Sequence, residues 1–312
     1  MDFQAIKNQY KSKARLDALA GNLSVATKSL REKRIAVQSQ HDAEMDKARA
    51  EAAREAVLSS LVYASRIQRG LLPAKSIFSK SFADFSILWH PRDIVSGDIY
   101  WIKNFDEGTV LCVCDCTGHG TPGALLTMLV VSAFGVIVND STYKDTAGIM
   151  RMLDAHLFAA LYDSSDDDEE GDMADIRDGC DLAILYIAKN GDITFSSANF
   201  PIFICDGESV THLKGQRLYV GEGKLKEGIE VKSTFIQGKQ GNKFYISSDG
   251  MFDQKGGEKG LPFGYKEFKK IILQHHNEPQ EVIAGKVWNT FESYRGAQPR
   301  KDDFELVCIR PI

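Results

Sequence analysis

The spacing of hydrophobic positions changes once along the chain. Leu16, Leu23, Leu30 and Val37 recur every seven residues, Leu19 and Ala26 partly fill the companion position, and Lys33 interrupts it. This is a partial heptad seam. Only Gly21 precedes Gly70, and all eight prolines lie at or after Pro73. Nothing therefore breaks a helix before about residue 69, and Ala, Lys, Glu, Arg and Gln favour one. The segment reads as one long helix or two, and the seam favours self-association over packing on its own domain. The pattern weakens from Gln38 to Glu51 and recovers at Ala56, Val57, Leu61, Val62 and Ile67. Gly70-Leu71-Leu72-Pro73 then ends it, so residues 1–72 form a helical segment and 73–312 a second domain.

After Pro73 strand-like alternation takes over. Phe85–His90, Asp98–Ile102 and Thr109–Cys114 read as strands. Ala124–Val138 is apolar nearly all round and predicts a buried helix, with Thr121 as N-cap and Pro122 as first residue. Ile149–Tyr162 predicts an amphipathic helix. Leu182–Ala188 and Ile193–Ser197 flank Asn190-Gly191 as a hairpin, and Ile202–Cys205 and Val210–Leu213 flank Asp206-Gly207 as another. Lys232–Ile236 and Phe244–Ser247 follow as strands, Tyr265–His276 and Gln280–Tyr294 as helices, and Phe304–Ile309 as a closing strand. Meandering strands among a few helices point to an α+β fold with antiparallel sheets.

Composition narrows the function classes. Hydrophobic residues at 43% and charged residues at 26% suit a folded globular chain of 312 residues. A net charge of -5 argues against non-specific nucleic-acid binding, which needs a basic surface. Ala124–Val138, at 15 residues, is shorter than the roughly 18 that a membrane span needs. Met1-Asp2-Phe3-Gln4 opens without the apolar run of a signal peptide, so a cytoplasmic location is expected. The six cysteines lack CxxC spacing and read as reduced, buried thiols. Cys112, Cys114 and Cys116 would share a strand face, but partners at zinc-finger spacing are missing.

Candidate chemistry gathers in aspartates at strand ends. Asp98 begins one strand, Asp115 follows another, Asp249 follows a third, and Asp302-Asp303 precede the last. Each alone is ordinary turn chemistry. Were the strand ends to converge, several carboxylates would meet in one cleft and need compensating charge. Hard divalent cations with oxygen ligands supply it, and the Cys116 carbonyl is a further oxygen donor. Gly118-His119-Gly120-Thr121-Pro122-Gly123 matches GxGxxG, but a second helix follows where a dinucleotide fold requires a strand. Asp166 to Glu170, with Asp172, lacks EF-hand spacing and reads as a solvated loop. His156 stands alone on its helix and reads as structural. His275-His276 closes a helix, where positive charge suits the dipole.

Five segments occur in a telling order. They are Ile67 to Pro73, Pro91 to Trp101 with Ser96-Gly97-Asp98, Asp115 to Ala124, Ser248-Asp249-Gly250-Met251-Phe252-Asp253-Gln254, and Lys301-Asp302-Asp303. Together they resemble the PPM (PP2C-like) serine/threonine phosphatases of the bacterial SpoIIE and RsbU branch, over about residues 60 to 312. The overall plan is also similar to SiaA-type phosphatases. The resemblance implies an αββα sandwich of two antiparallel sheets flanked by helices. It implies two Mn2+ or Mg2+ ions, with Asp115 bridging them. Asp98 and the Cys116 carbonyl would serve one ion, and Asp249 and Asp302 the other, with Asp303 as second choice. Ser96 stands where the family often has glycine. The branch generally lacks the arginine that grips phosphate in animal enzymes, and Arg92 is a candidate substitute.

The implied reaction is hydrolysis of phosphoserine or phosphothreonine on a protein, by in-line attack of a metal-bridging hydroxide. His119 is the candidate proton donor to the leaving alkoxide. The implied substrate is a small phosphorylated partner-switching regulator, such as an anti-sigma-factor antagonist. The N-terminal helices would act as a dimerising regulatory linker, the last of them docking on the domain and positioning a metal-site element. A catalytically silent, phosphoprotein-binding relative is the alternative. A metal-dependent nuclease finds little support in the charge.

Overall fold

A computed structural model describes residues 3–162, 178–226 and 229–312. The acidic run around Asp166 to Glu170 lies outside them. The chain divides into two units, Met1–Ser60 and Leu61–Ile312. One continuous helix, α1 (Phe3–Leu71), carries the N-terminal segment. Leu16, Leu23, Leu30 and Val37 are all exposed on it.

Within the second unit, α2 (Lys75–Ser81) leads into β1 (Phe82–His90), β2 (Asp98–Phe105) and β3 (Gly108–Cys116). Two helices follow, α3 (Thr121–Ile137) and α4 (Thr146–Tyr162). Then come β4 (Cys180–Ala188), β5 (Ile193–Ala198), β6 (Ile202–Cys205), β7 (Val210–Leu213), β8 (Thr234–Ile236) and β9 (Lys243–Ser247). The short helix α5 (Asp249–Phe252) precedes a minor hairpin, β10 (Lys255–Gly256) and β11 (Leu261–Pro262). Helices α6 (Gly264–Gln274) and α7 (Gln280–Arg295) and strand β12 (Phe304–Pro311) close the chain.

Two antiparallel five-stranded sheets form the centre, ordered β1-β12-β9-β6-β7 and β2-β3-β4-β5-β8. Strand alternation explains why they stack. Tyr100, Leu111, Val113, Ala183 and Leu185 from one sheet meet Ile202, Phe244, Ile246, Val307 and Ile309 from the other. Their neighbours in sequence point outward. Cys112, Cys114, Cys116 and Ile184 pack under α3 and α4. Phe304, Leu306 and Cys308 pack under α6 and α7. Each large apolar side chain so buried contributes about 1.5–3 kcal/mol. The result is the four-layer αββα arrangement expected from the sequence.

Three local readings need correction. Thr121 is the first residue of α3, and Gly120, at φ 67°, takes the cap position, because a left-handed backbone lets the Asp115-to-Gly120 loop turn into the helix. The helix is not buried all round, since Leu125 and Val136 face outward. Asp115 lies inside β3, one residue short of its end. The dinucleotide reading fails as expected, because β2, β3 and β4 run antiparallel with no βαβ crossover. All six cysteines are free and buried. Among the described residues no helix is long and apolar enough to cross a membrane.

Candidate active site

Register builds the acidic row. Asp98 pairs with Asp115, and Asp115 pairs with Asp181, across β2, β3 and β4. By strand alternation all three lie on the inner face, in line with Tyr100, Val113 and Ala183. The second sheet contributes from its own strand ends. Asp249 opens α5 directly after β9, and Asp302 precedes β12. A cavity of about 200 Å³ is lined by the carboxylates of Asp115, Asp181, Asp249 and Asp302, with Cys116, Thr117, His119 and Tyr219 among its other walls. No lysine or arginine is among the lining residues. Asp98, 1% exposed, is not among the lining residues.

Backbone contacts hold these loops in register. Gly97 N–H donates to Asp303 Oδ2 at 2.7 Å, and Cys116 N–H donates to the Gly97 carbonyl at 2.9 Å. A β-carbon at Gly97 would stand 2.6 Å from the Gly118 carbonyl oxygen, so this junction admits glycine alone. A β-carbon at Gly250 would collide with the Asp303 carbonyl oxygen in the same way. Ser248 Oγ donates to Asp98 Oδ2 at 2.6 Å, and Trp89 Nε1 donates to the Asp98 carbonyl at 2.9 Å. Gln68, at the end of α1 and fully buried, grips the same loop through the Ser96 peptide and also donates to Thr127 Oγ1 at 2.9 Å.

Burial and mutual repulsion set the electrostatics. Burial, then Asp115, Glu305 and Asp303, push the Asp98 carboxyl well above its ordinary range. Burial, then Asp249, Asp302 and Asp181, do the same to Asp115, against an opposing hydrogen bond with Asp98. Asp249 is raised to about 6, chiefly by burial and then by Asp253 and Asp302. These carboxylates compete for protons because no cationic side chain lines the cavity with them. Hard oxygen donors around such a cavity suit Mg2+ or Mn2+. Among the described residues no three acidic, His or Cys side chains already close around one point. The donors thus share a cavity and are not drawn into a finished coordination shell. The fit rests on their charge, their oxygen chemistry and their common wall.

The remaining candidates divide. His119 lines the cavity, and its Nδ1 lies 3.1 Å from Asp93 Oδ2. Asp303 does not line it. Its Oδ1 accepts from Arg92 N–H at 2.6 Å and its Oδ2 from Gly97, so it clasps two backbone segments. The Arg92 guanidinium donates to the Lys301 carbonyl at 2.9 Å and is not part of the lining.

Sequence reading missed three residues. Asp181 accepts 2.8 Å from Asn199 Nδ2, and Asn199 is the one non-glycine residue at positive φ (55°) among those described. Gln68 lies within the Ile67 to Pro73 segment, but its own role went unassigned, because glutamine is ordinary on a helix. Glu305 did give one, as the lone charge in the apolar run Phe304-Glu305-Leu306-Val307-Cys308-Ile309.

The arrangement has relatives. Residues 106–311 match the family Stage II sporulation protein E (SpoIIE). The SiaA-PP2C domain of Pseudomonas aeruginosa is similar at 30% identity and TM-score 0.73, covering 83% of this chain and 98% of that one. The PP2C phosphatase domain of SpoIIE from Bacillus subtilis, with a fragment of its regulatory domain, has the same fold. Its identity is 19% and its TM-score 0.58, over 74% of this chain and 63% of that one. The RsbU and RsbW domains of Rv1364c from Mycobacterium tuberculosis also share it, at 14% identity and TM-score 0.56, over 74% and 61% of the two chains. No curated protein matches the chain. The chain belongs to the SpoIIE family of PP2C-type phosphatases.

Proposed function

We propose that this protein is a metal-dependent serine/threonine phosphoprotein phosphatase. The observation that carries this reading is the convergence of Asp115, Asp181, Asp249 and Asp302 on one cavity without a cationic side chain in its lining. Two Mn2+ or Mg2+ ions held there would supply an activated water for in-line attack at phosphorus and positive charge opposite the phosphoryl oxygens. Asp115, central in the acidic row, would serve both ions. Asp98 and the Cys116 carbonyl would hold one, and Asp249 and Asp302 the other. Asp303 and Gly97 fix the loop that carries Asp98. His119 is the candidate to protonate the leaving serine or threonine oxygen, and Asp93 orients its ring.

The substrate class follows from the family resemblance: a small phosphorylated regulatory protein of a partner-switching system. Residues 1–72 act as a regulatory and dimerising linker, supported by the exposed heptad positions and by the Gln68 contact to the Ser96 loop.

The test is hydrolysis of p-nitrophenyl phosphate and of a phosphoserine peptide by the full chain. Activity is expected with Mn2+, none in excess chelator, and none for Asp115→Ala or Asp249→Ala with folding intact. Full activity in those variants or in chelator contradicts the reading. Tight phosphopeptide binding without turnover would favour the silent relative instead.

A further inference from the structure

Among the described residues the most anomalous acid is Glu305. It is 0% exposed, and neither carboxylate oxygen has a hydrogen-bond partner. Buried polar groups are almost always paired, and a buried carboxylate with no partner is strongly disfavoured. Poor packing of the strand does not account for it. The Glu305 backbone is fully engaged, with its N–H donating to Ser248 Oγ at 3.2 Å and its carbonyl accepting from Ser247 Oγ at 2.6 Å.

Its position explains the anomaly. On β12, Val307 and Ile309 face the other sheet, and Glu305 shares their face at the end near the cavity. Across the sandwich stand the inner-face carboxylates of β2 and β3. Ser248 links the two sides, since its Oγ donates to Asp98 Oδ2 and accepts from Glu305 N–H. Asp98, Asp115 and Asp303 all repel the Glu305 carboxylate. An acid with two unpartnered oxygens, aimed at an anionic cluster, needs a cation to make sense of it.

We propose that Glu305 is an additional oxygen donor to the cation on the Asp98 side of the cavity, engaging it directly or through one of the ion's own waters. The inference rests on the two-ion reading above and extends it to a buried residue outside the cavity lining. It gives the ion on that side two carboxylates besides the shared Asp115, as many as Asp249 and Asp302 give the other. A carboxylate in this role strengthens cation binding, whereas a structural glutamate would leave it unchanged.

The test is calorimetric titration of Mn2+ into the metal-free full chain, with the visible spectrum of the Co2+-loaded protein as a second readout. Glu305→Gln is expected to weaken one of the two Mn2+ steps about 10- to 100-fold, to shift the Co2+ bands, and to raise the melting temperature of the metal-free protein. Glu305→Asp keeps the charge and is expected to retain most of the wild-type affinity, a comparison with wild type that stands if Glu305→Gln folds poorly. Asp115→Asn is the control. Lost binding in Asp115→Asn with unchanged affinity and spectrum in Glu305→Gln overturns the role of Glu305 alone. Unchanged binding in both variants overturns the cation reading as well.

Discussion

The Gln68 side chain closes both hydrogen bonds of the Ser96 peptide: its Oε1 accepts from Ser96 N–H at 3.0 Å, and its Nε2 donates to the Ser96 carbonyl at 2.6 Å. The last turns of α1 are thereby joined to the residue two before Asp98. A helix that shifts or rotates here has to break or drag the Ser96-Gly97-Asp98 loop. Truncating Gln68 leaves a buried N–H and a buried C=O unpaired, at about 1–3 kcal/mol each. Gln68→Ala is expected to raise the Mn2+ concentration needed for half-maximal activity by about tenfold, since it loosens a support of the Asp98 loop. Metal-dependence curves for wild type and variant check this. Superimposable curves would remove Gln68 from any coupling role.

His119 lines the cavity, and Asp93 holds its ring. A proton donor matters in proportion to the basicity of the leaving group. His119→Asn is expected to slow phosphoserine-peptide hydrolysis about 100-fold or more and to affect p-nitrophenyl phosphate little, because nitrophenolate leaves without a proton. Parallel kcat measurements on both substrates decide it. Equal losses on the two would reassign His119 to loop packing.

The clustered acids give the metal-free protein a distinctive pH response. Asp249 is raised to about 6, and Asp98, Asp115 and Glu305 lie well above the ordinary range, all chiefly through burial. A raised carboxyl pKa means that the folded chain holds protons the unfolded chain has released. Stability from these groups is therefore greatest below their unfolded values, near pH 4. It falls as pH rises through about 6 and beyond. His90, His212 and His276, lowered chiefly by burial, pull the other way at acid pH. Comparing wild type with Asp249→Asn in chelator removes that background. The variant is expected to gain stability relative to wild type as pH rises from about 4 to about 6, and to keep that gain above it. A constant offset across that range would contradict the assignment.

Leu16, Leu23, Leu30 and Val37 repeat every seven residues and are exposed. Removing residues 1–55 is expected to convert a dimer to a monomer and to change specific activity. Light scattering and kinetics on both forms measure it. A full-length monomer whose kinetics match those of the shortened chain would end the dimer-switch account.

Much of this architecture is readable from periodicity. Alternation located all the long strands, and the change at Gly70 to Pro73 marked where the helical segment ends. What escaped was short or depended on register. Helix α2 has seven residues and α5 four, too few for a 3.6-residue period to declare itself. Asp98, Asp249 and Asp302 stood out because each lies beside glycine, serine or another acid at a strand end, and Asp115 because it directly follows the apolar run Val110 to Cys114. Asp181 did not, because its place beside Asp115 follows from the pairing of β3 with β4 over a long connection. Gln68 and Ser96 lie 28 residues apart, and nothing local in either marks the contact. Glu305 was legible in principle, as a charge at an inward-facing position of an apolar strand.

The most direct measurement is the anomalous scattering of a crystal grown with manganese. Two peaks are predicted in the cavity, one toward Asp98 and the Cys116 carbonyl and the other toward Asp249 and Asp302, with Asp115 between them. Manganese bound elsewhere, with no peak among these carboxylates, would contradict the account.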